Sequence, residues 1–304
     1  MRNTFVDTVI EASKKRDDLF IISGDAGLGV FDEFTKTAAD KFLNLGVAEQ
    51  NAASFAAGMS LAGFKVYLYN IIPFVLYRCY EQVRNDICYQ KLPVVLVGIG
   101  SGVTYAPQGM THYSIEDIGI ARTMPNLRIF SPIDPVEARL AAWYSLSAKD
   151  PVYVRLAKRG EPAIHKKTDF NICEPQMLAD GDSVAVVFHG SIAPEALKAA
   201  DILRDSGIHP RLISAPLIHP LNHDCLFRMV NDMRHVISLE EHYIHCGLGN
   251  IIAGEYVTRK PSWELHTLGI PADFIHEIKD TAGMRDHFGI SGAKIADYIK
   301  KIIP

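Results

Sequence analysis

The stretch PVVLVGIGSGVTYAPQGMTHYSIED, residues 93–117, sets the architecture. PVVLV (93–97) is too short for a helix and apolar on every position, the signature of a strand covered on both faces. A glycine-rich loop with Gly102, Pro107 and Gly109 follows. Ser114 and Asp117 then have capping-box spacing and predict a helix start at SIEDIGIARTM. Similar runs recur outward from this unit: LFII (19–22), KVYLY (65–69), LRIF (127–130) and VYVRL (152–156), with helical patterns between them. Asp134 and Pro135 have the N-cap and first-turn proline pattern that opens PVEARLAAWYSLSA. The expectation is an α/β fold with a doubly wound, mostly parallel sheet.

After Leu156 the character changes. AKRGEPAIHKKTDFNICEPQM is polar, aperiodic and carries two prolines, and reads as a linker. A shorter series then runs through SVAVVF (183–188), PRLIS (210–214), HVISL (235–239) and WELHTL (263–268) to a last helix at AKIADYIKKII. The expected division is a domain over 1–165, a linker over 166–180 and a smaller Rossmann-like domain over 181–304, in keeping with a chain of 304 residues.

Composition narrows the function. With 48% hydrophobic and 22% charged residues the chain has ordinary globular usage. Its formal charge of −4 and lack of a basic run argue against nucleic acid. No apolar stretch approaches the ~20 residues of a membrane span, and no targeting segment is visible, so the expectation is a cytoplasmic protein with no membrane partner. Five scattered cysteines without C-x-x-C spacing fit reduced thiols. Cys225, His242, His245 and Cys246 lack zinc-site spacing, and no metal ligands are read in this chain.

Three constellations carry chemistry. In NLGVAEQN (44–51), Glu49 stands among small and apolar residues before the run AASFAAGMSLAG, which reads as a buried helix. Gly46 and the Ala52, Ala53, Ala56, Ala57, Gly58 face permit close packing of a backbone or flat ring. Burial disfavours the charged form of a carboxyl, so Glu49 is suited to share a proton with a heterocycle nitrogen. His112 sits in the loop after a strand, where open α/β sheets bind ligands. IIPFVLYRCYEQVRND (71–86) gathers Phe74, Tyr77, Arg78, Tyr80 and Arg84.

Taken together, G-V-A-E-Q, the F-x-x-x-R-x-Y-E-Q-V-R run, T-H-x-S-I-E-D, P-N-L-R-I-F-S-P-x-D and P-V-Y-V-R-L resemble the transketolase family of thiamine diphosphate enzymes. The resemblance spans about 1–160 and extends into SLEEHYIHCGLGN. It implies a pyrimidine-binding domain followed by a transketolase C-terminal-like domain. It assigns Glu49 to the cofactor's aminopyrimidine nitrogen, Phe74 or Tyr77 to stacking on that ring, and Arg78 and Asp25 to the cofactor's surroundings. His112 matches a histidine that contacts substrate oxygens. Gln108 stands where transketolases acting on ordinary sugar phosphates have aspartate. Arg2, Lys158 and Arg159 match phosphate-binding positions loosely.

No G-D-G motif with a later asparagine, which would hold magnesium and the diphosphate, occurs here; GDAG (24–27) does not fit. The resemblance therefore implies the C-terminal subunit of a split transketolase. An N-terminal diphosphate-binding subunit would hold the Mg²⁺, in an α2β2 assembly acting on phosphorylated or nucleotide-linked sugars. The rivals are the β subunit of a 2-oxoacid dehydrogenase-type decarboxylase, a deoxyxylulose phosphate synthase-like condensing enzyme, a catalytically silent assembly subunit, and a sugar- or nucleotide-binding module.

Overall fold

The computed structural model describes residues 1–27, 29–158 and 160–303. The first half supplies β1 (Leu19–Ser23), β2 (Phe42–Asn44), β3 (Lys65–Ile71), β4 (Val95–Ile99), β5 (Arg128–Phe130) and β6 (Val152–Leu156). The second supplies β7 (Gln176–Ala179), β8 (Val184–Phe188), β9 (Arg211–Ser214), β10 (Leu217–His219), β11 (His235–Tyr243) and β12 (Glu264–Ile270). Seven strands form one sheet in the order β10-β5-β6-β4-β3-β1-β2, parallel except for β10. The other five run β12-β11-β8-β9-β7, parallel except for β7.

Both faces of the first sheet are covered, which explains its unbroken apolar runs. Ile21, Tyr67, Tyr69, Val95, Val97, Val152 and Val154 pack with the helices Arg2–Ser13 and Pro135–Ser147. Their strand neighbours Ile22, Val66, Leu68, Leu96 and Tyr153 face the alanines of the helix Glu49–Leu61. That second cluster continues through Ile129 and Ile213 to Trp263, so one apolar core joins the two sheets.

The expected α/β fold with parallel sheets in two layers of helix is therefore present. The proline-capped start at Asp134 also forms, with its side chain accepting from the Glu137 N–H. Three expectations change. The stretch read as linker contains β7, an edge strand only half-buried that has no hydrophobic run to announce it. β10, from the second half of the chain, closes the far edge of the first sheet. The capping box at Ser114 does not form: the short helix Asp117–Ala121 has no side-chain cap, because Asp117 is buried against Arg155 instead. The helix from Glu49 buries only one face; Gln50, Asn51, Ser54, Phe55 and Leu61 are exposed. All five cysteines are unpaired thiols. Among the described residues no helix is long and apolar enough to cross a membrane.

Candidate functional site

The site lies at the carboxyl ends of the first sheet's strands. After β2 the chain turns at Gly46, whose φ of +64° is a left-handed conformation that glycine adopts without strain. The turn delivers Glu49 as the first residue of its helix, where the helix dipole favours a carboxylate. The side chain is 7% exposed and has one charged partner, Arg78, whose Nη1 lies 2.9 Å from its Oε1.

Arg78 reaches Glu49 because the preceding segment is wound unusually. Pro73–Tyr77 forms a π-helical turn, and the Arg78 N–H bonds the Pro73 carbonyl, five residues back, at 3.1 Å. Such wide turns accommodate an additional residue and concentrate at functional sites. The turn also presents Phe74, half-buried, with the Arg78 guanidinium 4.4 Å above its ring.

The edge of Phe74 meets His112, with centroids 5.6 Å apart and planes at 73°. His112 ends a turn of 3₁₀ helix that follows Gly109, and its Nδ1 lies 2.9 Å from the Thr111 hydroxyl. On its other side stands Tyr105, at 6.1 Å between centroids. Lys158 Nζ sits 4.6 Å over the Tyr105 ring. Burial raises the Tyr105 phenol's pKa, opposed by the nearby positive charge of Arg2. Arg2, Lys158, Tyr105, His112, Phe74, Arg78 and Glu49 thus run as one line of contacts, with a buried acid at one end and cations at the other.

Other expected residues stand apart. Tyr77 turns into the protein and donates its hydroxyl to Glu116 at 3.1 Å. The side chains of Gln108 and Asp25 are exposed and hydrogen-bond to nothing among the described residues. Arg159 lies outside the described residues. Tyr105 is the residue that sequence reasoning overlooked; its signal was its place between Gly102 and Gly109 in the ligand loop.

Below this line is a buried polar seam between the halves. Arg155 bonds Asp117 at 2.7 Å, the Tyr153 hydroxyl donates to the same carboxylate at 2.7 Å, and neither charged side chain is more than 1% exposed. The Ile118 N–H donates to Nε2 of His242 at 3.1 Å, so this imidazole must be neutral. Burial agrees, pulling its pKa down to about 4. Beside it Glu240 accepts from the Leu248 and Gly249 N–H groups at 2.7 and 2.9 Å, and burial pushes its pKa up to about 8 against those bonds. A Cβ on Gly102, φ +63°, would stand 2.3 Å from Glu241 Oε2, so only glycine lets the ligand loop meet the second half this closely. The segment SLEEHY thereby holds the second half under the loop that carries Tyr105 and His112.

Comparison with known proteins agrees with this geometry. The family described as "Transketolase, pyrimidine binding domain" matches residues 1–161, and "Transketolase, C-terminal domain" matches 174–295. One of the two subunits of an apulose-4-phosphate transketolase, from Actinobacillus succinogenes, is 34% identical over 98% of this chain and 96% of that protein. A 1-deoxy-D-xylulose-5-phosphate synthase of Caldanaerobacter subterraneus subsp. tengcongensis is 31% identical, but the matched part is 48% of its length. Among solved structures, "Split gene transketolase, inactive beta4 tetramer" superposes with a TM-score of 0.87 at 26% identity, covering 99% of this chain and 97% of that one.

Proposed function

The chain belongs to the transketolase family, as the C-terminal subunit of a split enzyme, and from that premise we propose that it builds the thiamine-facing half of an active site completed by a second polypeptide. The reaction is transfer of a two-carbon ketol unit between sugars. The carrying observation is the Glu49–Arg78–Phe74 arrangement. A planar, N–H-bearing guanidinium already stacks on Phe74 while bonding Glu49, so the pair can accept a planar, N–H-bearing pyrimidine in the same manner.

Thiamine diphosphate, when bound, supplies the electron sink for breaking and making the ketose C–C bond. The chain's residues hold and orient. Glu49 Oε1 holds the proton shared with the ring nitrogen, and its burial keeps water from competing for it. Phe74 fixes the ring plane, and Tyr77 supports the turn beneath from its bond to Glu116. His112, steadied at Nδ1 by Thr111, offers Nε2 to a substrate oxygen on which charge develops. Lys158 and Arg2, converging on Tyr105, draw the anionic end of a sugar phosphate. Gln108, exposed at the loop tip, meets a hydroxyl as donor or acceptor. Asp25, at the end of β1, is kept as a candidate for the cofactor's rim.

The partner in this reading is an N-terminal transketolase subunit that holds the diphosphate and Mg²⁺, since no G-D-G motif is found in this chain. Exposed apolar residues beside Glu49, namely Val47 at 78% and Leu61 at 64%, favour self-association through the same face, as α2β2 in the cytoplasm. The domains are read as 1–165 and, because β7 hydrogen-bonds to β9, a second starting near 174. A phosphorylated ketose is the favoured donor, in keeping with the substrate named in the apulose-4-phosphate relative.

The test is calorimetric titration of thiamine diphosphate with Mg²⁺ into this chain, into the N-terminal subunit, and into their mixture. Saturable binding in the mixture alone is expected, together with ketol transfer between sugar phosphates. Tight binding and turnover by this chain alone would refute the shared site. Turnover of a 2-oxoacid with an artificial electron acceptor would favour the decarboxylase instead.

A further inference from the structure

The second sheet carries a separate group of potential ligands at the end remote from this site. His235 opens β11 and Glu264 opens β12; they are register partners in a parallel pair. His266 follows two residues along β12, so all three side chains share one face of the sheet. His235 Nδ1 lies 3.2 Å from His266 Nε2. Glu264 Oε2 lies 3.6 Å from the first nitrogen and 3.9 Å from the second.

Those spacings suit an ion better than they suit one another. A triangle with edges of 3.2, 3.6 and 3.9 Å has a circumradius of about 2.1 Å, the bond length Zn²⁺ makes to imidazole nitrogen and carboxylate oxygen. The two carboxylate distances are longer than a hydrogen bond, so direct pairing leaves Glu264 unused. His266 turns its other nitrogen, Nδ1, to the Tyr298 hydroxyl at 3.0 Å, from the last helix, Gly292–Ile302. An oxygen on the far nitrogen is what orients metal-ligating imidazoles. Burial lowers the pKa of His266, which leaves its lone pair available. The His235 side chain is 5% exposed and that of Glu264 65%, giving an anchored floor and an open side for entry and a water ligand.

We propose that His235, Glu264 and His266 form a transition-metal site of the Zn²⁺ class, with water as fourth ligand. Two imidazoles select against Mg²⁺, which prefers six oxygens. The ion is not catalytic. At ~3.3 Å per residue, the seven steps from His235 to His242 set it about 23 Å from the interdomain seam. Its effect is to fasten β12, an edge strand, to β11 and, through Tyr298, to the last helix.

The test uses the full chain stripped with EDTA and titrated with ZnCl2, then CoCl2, in non-chelating buffer. Expected are one Zn²⁺ per chain, a raised unfolding midpoint with Zn²⁺ but not Mg²⁺, and the intense visible band of tetrahedral Co²⁺. Glu264→Gln, at an exposed position, should keep the metal-free midpoint and bind Zn²⁺ at least tenfold more weakly. His235→Gln with His266→Gln should abolish the cobalt band. Absence of binding at millimolar Zn²⁺ would overturn the proposal, as would binding undiminished in both variants.

Discussion

Nη1 of Arg78 lies 2.9 Å from Oε1 of Glu49, so the acid that the site is built around is engaged by a side chain from the neighbouring π-turn. Arg78 is 48% exposed there, and exposed ion pairs contribute only ~0–1 kcal/mol, so a better-fitting planar partner can displace it.

The first prediction concerns that acid. Glu49→Gln keeps the shape but cannot take up or hold the proton, and should lower kcat of the assembled enzyme roughly 10²–10⁴-fold with little change in KM. Steady-state kinetics and deuterium exchange at the cofactor's reactive carbon measure it. Activity within threefold of the parent would dismiss the proton-sharing role.

Phe74 and Tyr77 separate by experiment. Stacking of aromatic rings is worth about 0.5–1.5 kcal/mol, so Phe74→Ala should weaken thiamine diphosphate binding by roughly 3- to 10-fold or more. Tyr77→Phe removes only the bond to Glu116 and should cost about 1 kcal/mol of stability while leaving cofactor affinity unchanged. The reverse pattern would make Tyr77 the platform.

Lys158→Ala should raise KM for a phosphorylated ketose by about 10- to 100-fold, from loss of a charge-assisted contact of about 1.5–3 kcal/mol, and leave the non-phosphorylated analogue unaffected. Equal losses for both substrates would exclude a phosphate role.

A fourth prediction concerns pH. His242 titrates near 4 in the folded chain because burial disfavours its charge, against an ordinary 6.5. Its lowered pKa means that its contribution is complete above pH 6.5 and is lost as the pH falls towards 4, on the order of 3 kcal/mol. Glu240 and Glu137 have the opposite sign, since burial raises them to about 8 and about 7, and their contribution is lost as the pH rises. His242→Gln can still accept from Ile118 but cannot titrate, so chemical unfolding should show the parent's advantage shrinking between pH 7 and 4.5. Parallel pH profiles for the two proteins would contradict this.

Much of the site was legible before folding because its parts are local. Glu49 followed from a carboxyl among small residues, and His112 from its loop at a strand end. Asp117 shows the opposite: its spacing from Ser114 is that of a cap, yet a buried Arg155, 38 residues away, outcompetes a backbone N–H for it. Tyr77 and Phe74 were indistinguishable as letters, since only the winding of residues 73–77 decides which ring faces the cleft.

By itself the sequence determined the strand and helix periods, the two parallel sheets and the family, because these rest on short-range patterns of polarity and chain stiffness. Tertiary structure alone decided the partner of Glu49, the strand that β10 lends to the first sheet, the seam through His242, and the meeting of His235 with Glu264 and His266. Each of these joins residues far apart in the chain, and which distant groups come within hydrogen-bond or ligand distance depends on register and packing that no local spacing encodes.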